Sequence, residues 1–131
     1  MSGEENSELI RYRFQKAKET REEVVVHIEN GLWNTAINRL YYACFYAVSA
    51  LLASIVVYSK THAGTKQMFG LHCVKTGIID EDLNQFYIKI FGMRQSGDYE
   101  DYCDYEEEDV VHLFAPAKDF INTIEKILYK N

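Results

Sequence analysis

The stretch from Leu32 to Val57 reads LWNTAINRLYYACFYAVSALLASIVV, and its reading decides the fold. Trp33, Ile37, Leu40, Tyr41, Cys44, Phe45, Val48, Leu51, Leu52 and Ile55 recur at helical spacing and cover more than one face. A helix that is apolar most of the way round must be enclosed by several neighbours. The segment therefore predicts the central helix of an all-α protein. Its β-branched end, Ile55-Val56-Val57, disfavours helix at that point but not before it.

The neighbours supply the enclosing faces. Upstream, Ile10, Phe14, Ala17, Val24 and Ile28 mark one face of a helix over about 7–29, and Asn30-Gly31 ends it with residues that accept the left-handed conformation. Downstream, Ser59-Lys60-Thr61 offers capping chemistry for a third helix through about Lys75, stopped by Gly77. Asp80 caps a fourth, with Glu81 and Asp82 in its first turn and an inward face of Leu83, Phe86, Tyr87 and Ile90, then Arg94. Gln95 to Tyr105 is polar and predicts a loop. Asp104 and Glu107 have capping-box spacing for a last helix carrying Val110, Phe114, Ala117, Ile121, Ile124 and Leu128. Pro116 inside it predicts a kink or local break near Leu113. The expected architecture is an antiparallel up-and-down four-helix bundle with an additional short helix, residues 1–131 forming one domain.

Composition fits this outline. The chain has 131 residues, 47% of them apolar and 26% charged, which suits a folded core. One proline and seven glycines leave few of the turns that a sandwich or barrel needs. The net charge of −6 gives no bulk attraction to nucleic acid or an anionic membrane, so only a local basic patch would supply one. No run approaches ~18 apolar residues, so no membrane association is expected. The polar, acidic start Met1–Asn6 is unlike a signal peptide. Cys44, Cys73 and Cys103 are an odd set without C-x-x-C spacing, as suits reduced thiols in the cytoplasm.

Arg94 is the most informative single residue. It continues the inward stripe of the fourth helix, where a charge is costly unless paired. Asp98, Asp101 and Asp104 are its nearest acids in sequence. Two roles fit: a pocket cation that grips phosphate with its fork, or a structural ion pair that pins the following loop. Tyr99 and Tyr102 either stack on bases or pack that loop. Asn38 and Arg39 interrupt the most apolar helix and need partners or a cleft. Tyr41, Tyr42 and Tyr46 suit core or interface at helical spacing. His62 follows a helix start, where it either joins amide donors in an anion site or stands as a solvent-exposed first-turn residue. No histidine among His27, His62, His72 and His112 has a second His or Cys at i+3 or i+4, so no metal site or cofactor is expected.

Four segments carry a family resemblance: Asn38 to Ala47 (NRLYYACFYA), Lys60 to Gly64 (KTHAG), Phe69 to Gly77 (FGLHCVKTG) and Arg94 to Tyr99 (RQSGDY). In order and spacing they resemble the prokaryotic HEPN domain, closest to its small stand-alone members, over about Glu8 to Leu128. The resemblance implies an all-α bundle paired as a homodimer, binding RNA or a nucleotide in a cleft at the dimer interface. It also implies a toxin-like role beside a nucleotidyltransferase antitoxin. Active ribonucleases of the family carry an arginine and a histidine separated by four to six intervening residues, and work without metal. Arg94 matches that arginine; the histidine positions hold Tyr99, Glu100 and Asp101. The implied catalytic residues are thus Arg94 and Tyr99, with Asn38, Tyr42, His62, Asp98 and Tyr102 binding ligand. Any endoribonuclease activity is expected to be weak and metal-independent. The alternative is a non-catalytic helical module that binds a nucleotidyltransferase partner. Arg21 and His27 share the motif spacing, but six residues turn a helix through about 240°, so these side chains diverge.

Overall fold

The computed structural model describes residues 3–129, and all regular structure among them is helical. Helix α1 spans Gly3–Glu29, α2 Trp33–Ser54, α3 His62–Phe69, α4 Glu81–Tyr99 and α5 Glu107–Leu128. A π-helical turn, Gly70–Val74, continues α3. Of the polar start, Met1 and Ser2 lie outside the described residues; Gly3–Asn6 already belongs to α1, where Glu4 and Glu5 meet the positive end of the helix dipole.

Side-chain pairings give the directions. Asn6 Nδ2 donates to the Ala53 carbonyl (3.0 Å) and Arg13 Nη1 to that of Ser49 (3.2 Å), so α1 and α2 run antiparallel. Lys18 pairs with Glu125 at 3.2 Å and Arg21 Nη1 donates to Asn122 Oδ1 at 3.1 Å, which sets α5 antiparallel to α1. Asn38 meets Asp98, and the Tyr41 and Phe91 rings lie 5.7 Å apart, which sets α4 antiparallel to α2. The four long helices form the expected up-and-down bundle.

Helix α2 is its axis, touching α1, α3, α4 and α5. Ala36, Ala43, Ala47 and Ala50 are fully buried; their small side chains let neighbours lie close on several sides. The rings of Tyr41 and Tyr87 stack at 6.1 Å, Tyr87 and Phe120 at 5.7 Å, and Phe69 meets Tyr87 edge-on at 5.4 Å. These contacts join α2, α3, α4 and α5 through one aromatic seam. By length and composition alone α2 is long and apolar enough to cross a membrane, where no such stretch was expected; 67% of its apolar window is buried within the bundle. Enclosure by four helices accounts for that composition.

Several boundaries follow the local chemistry. Gly31 takes φ +67° after α1, and Gly77 takes φ +86° after the π turn. The Thr61 side chain caps α3 by accepting from the Gly64 amide at 2.9 Å. Asp80 sits at the N-cap of α4, but its side chain makes no capping bond. Helix α2 ends at Ser54, where the β-branched run begins. Val56 adopts φ +60°, and the Val56 and Val57 amides donate back to the Ala53 and Leu52 carbonyls at 3.0 and 2.9 Å.

Three expectations need correction. Gln95–Tyr99 is the last part of α4, not loop. Gly97 serves close packing there: a Cβ on it would lie 3.0 Å from the Tyr105 ring. The cap of α5 is Glu106 with Asp109, not Asp104 with Glu107. Tyr105 explains the shift: its amide donates to Asn34 Oδ1 (2.8 Å) and its hydroxyl to the Met93 carbonyl (2.9 Å), so the helix begins only after it. Finally, α5 continues unbroken past Pro116, which is exposed, while Leu113, Ala117 and Phe120 are buried and hold both halves to the core.

Candidate functional site

The inward stripe of α4 carries Arg94 into the bundle, where it is only 6% exposed. Its guanidinium lies over the Tyr41 ring (4.8 Å to the centroid), the Tyr42 ring (5.7 Å) and the Tyr99 ring (5.8 Å). The π faces attract the cation. Its one ion pair among the described residues is loose: Nη1 stands 3.5 Å from Asp98 Oδ2, one turn further along α4. Arg94 Nε is buried without a hydrogen-bond partner among the described residues. Burial works against the charge, but Tyr41, Tyr42 and Asp98 outweigh it and hold the guanidinium more firmly protonated than usual.

Helices α2 and α3 complete the cluster. Asn38 Nδ2 donates to Asp98 Oδ2 at 2.9 Å, so the carboxylate that faces Arg94 is held from α2. Arg39, also on α2, places its guanidinium 5.2 Å from the Tyr42 centroid, giving that ring a second cation. His62 opens α3 just past the Thr61 cap. Its Nδ1 lies 2.8 Å from the Tyr41 hydroxyl and its Nε2 3.5 Å from the Tyr42 hydroxyl. His62 and Arg94 therefore share the same two tyrosines. Burial, and then the Arg94 charge, hold His62 below its ordinary value of 6.5, so at neutral pH it is an uncharged imidazole. Burial pushes the Tyr41 hydroxyl up to about 12, which keeps it a neutral hydrogen-bonding group.

The structure thus brings Arg94, Asn38, Tyr42, His62, Asp98 and Tyr99 together from three helices. Tyr102 stands apart: it is wholly exposed, at φ +62°, in the turn after α4. Asp101 and Asp104, the other acids considered for Arg94, are exposed and form no ion pair among the described residues.

Two contributors escaped the sequence reading. Tyr41, which suits core or interface in the sequence, is buried in the core and is also the ring on which both Arg94 and His62 rest; a buried tyrosine needs a hydroxyl partner, and that requirement is the available signal. Asn34 staples the loop to α4. Its Nδ2 donates to the Cys103 carbonyl (2.8 Å) and the Gly97 carbonyl (3.3 Å), and its Oδ1 accepts from the Tyr105 amide. A polar residue in the first turn of an otherwise apolar helix was its signal.

Chemically, the cluster offers a desolvated guanidinium with unused donor capacity, a neutral imidazole and aromatic walls. Such a set suits an anionic group joined to a planar one.

Comparison with known proteins gives a consistent picture. The sequence model of the HEPN domain matches residues 10–127. A UPF0332 protein of Thermotoga maritima is 35% identical, over 95% of this chain and 94% of its own length. Two proteins of Methanocaldococcus jannaschii, each named as a candidate toxin, are 33% identical (92% of this chain, 90% of theirs) and 28% identical (87% and 78%).

Proposed function

Because the chain belongs to the HEPN domain family, we propose that it acts as a toxin-like protein that binds RNA or a nucleotide, with Arg94 gripping a phosphate. The observation that carries this reading is the state of the Arg94 fork. A structural ion pair would close two donors on a carboxylate at hydrogen-bond distance. Here the single contact to Asp98 is 3.5 Å and Nε has no partner, although the group is buried. An incoming phosphate would give Nε the acceptor it lacks.

The motif histidine is absent from α4, and His62 on α3 is the imidazole that shares tyrosines with Arg94. In the neutral form it accepts a proton from a ribose hydroxyl, while Arg94 supports charge on the phosphate. Both its ring nitrogens already face tyrosine hydroxyls, so cleavage by this pair is weak; in this reading the two side chains, not a metal ion, move the proton and support the charge. The protein acts as a cytoplasmic homodimer with the cleft at the interface, beside a nucleotidyltransferase antitoxin.

One observation favours a second reading, a non-catalytic module for that partner. Glu100, Asp101, Asp104, Glu106, Glu107 and Glu108 form an exposed acidic rim beyond α4, which repels a nucleic-acid backbone and suits a basic protein surface.

Titration of the purified protein with AMP and with a short single-stranded RNA, in EDTA, tests the proposal. It expects saturable binding of both and, at most, slow cleavage that EDTA leaves unchanged. Absence of binding, or rapid cleavage abolished by EDTA, overturns it.

A further inference from the structure

A recess lies between α1, α2 and the segment that leads into α3. It encloses about 180 Å³ and is lined by Tyr12, Arg13, Lys16, Phe45, Tyr46 and Ser49, with Ser59 at its edge. Lys16 Nζ stands 5.9 Å from the centroids of both Tyr12 and Tyr46. Arg13 uses Nη1 on the Ser49 carbonyl, at 3.2 Å. Both cations are half-buried, and neither forms an ion pair among the described residues. The surrounding sequence sharpens the contrast. Within a chain of net charge −6, the run Ile10–Lys18 carries Arg11, Arg13, Lys16 and Lys18 and no acid.

The recess adjoins the Arg94 cluster. The Tyr46 ring lies 6.0 Å from Tyr42, and the Phe45 ring lies 4.5 Å from His62. Cations and rings therefore form one continuous chain of contacts: Arg94, Tyr42, Tyr46, Lys16, Tyr12. We propose that this recess is a second nucleotide subsite, in which Tyr12 and Tyr46 hold a base and Lys16 and Arg13 hold a phosphate of a single-stranded RNA that also occupies the Arg94 cluster. The inference rests on the reading of Arg94 as a phosphate site and extends it to a strand rather than a mononucleotide. Single-stranded nucleic acid is the ligand that needs a positive groove interleaved with stacking surfaces. An acidic peptide would use the cations but leave the rings unexplained.

The test compares AMP with a fluorescein-labelled ten-nucleotide oligouridylate across a salt series, on wild-type protein, Lys16→Gln, Tyr12→Ala and Arg94→Ala. Tyr12 is exposed, so its loss leaves the bundle folded; melting curves check all variants. Lys16→Gln is expected to weaken the decamer about tenfold and reduce its salt slope by about 0.7, the share of one phosphate on a single strand. Tyr12→Ala is expected to weaken it about tenfold through lost stacking. The Arg94-dependent part of AMP binding should stay unchanged in both and be lost in Arg94→Ala. If AMP binding does not depend on Arg94 but Lys16→Gln still weakens the decamer, the Arg94 reading fails and the recess stands. If AMP binds through Arg94 while Lys16→Gln and Tyr12→Ala keep wild-type decamer affinity and slope, the recess is overturned. Binding of neither probe overturns both, and competition by polyglutamate as strong as by unlabelled decamer overturns the base subsite in favour of an acidic-protein surface.

Discussion

At the residue scale, Arg94 shows how much one position discloses. Its step of four from Ile90 placed a charge on the inward face of α4, and the side chain is indeed buried. The sequence did not say what would surround it, because Tyr41 and His62 come from other helices and nothing in their spacing encodes the contact. His62 gives a pH prediction. Its folded-state value lies below the ordinary 6.5, because of burial and then Arg94. As pH falls, the unfolded chain takes up this proton first. The contribution is fully present above about pH 6.5 and is lost as pH drops toward the folded value. Melting temperatures between pH 7.5 and 5 should therefore fall more steeply in the wild type than in His62→Gln. Parallel curves would show that His62 titrates as a solvent-exposed histidine.

At the element scale, helix existence and faces were legible because every apolar segment keeps the 3.6-residue period. Ends were less so. Gly97 in a polar run signalled a loop, yet it lies within α4 because the Tyr105 ring packs onto its bare Cα. Tyr105 is tied at both its amide and its hydroxyl, so it has no room to retreat. Gly97→Ala should therefore destabilise by about 1–3 kcal/mol despite the better helix propensity of alanine; a melting temperature at or above wild type would contradict this. At the end of α2 the opposite change is favourable. Val56 occupies the left-handed position that glycine normally fills, at a cost of roughly 1–2 kcal/mol. Glycine loses more chain entropy on folding, so Val56→Gly should gain about 0.5–1 kcal/mol net. Calorimetry showing a lower melting temperature for this variant would contradict that account.

At the scale of the whole molecule, one helix organises everything. The apolar girth of α2 required several neighbours, and the bundle supplies four. What the sequence left open is the assembly, because a single chain's pattern does not separate faces buried within a subunit from faces buried between subunits. The homodimer proposed above predicts a sedimentation coefficient of a pair at micromolar concentration; a monomer there would remove the interface cleft. The central claim is that this bundle holds Arg94 for an incoming anion rather than for its own stability. The most direct measurement takes melting temperature and AMP affinity on the same Arg94→Ala protein, with Arg94→Lys beside it. The account predicts lost affinity that lysine barely restores, since a point charge lacks the fork, and a stability loss below about 2 kcal/mol, the worth of its ring contacts and loose ion pair. Unchanged affinity together with a loss of about 3–5 kcal/mol, the cost of breaking a tight buried pair, would contradict it.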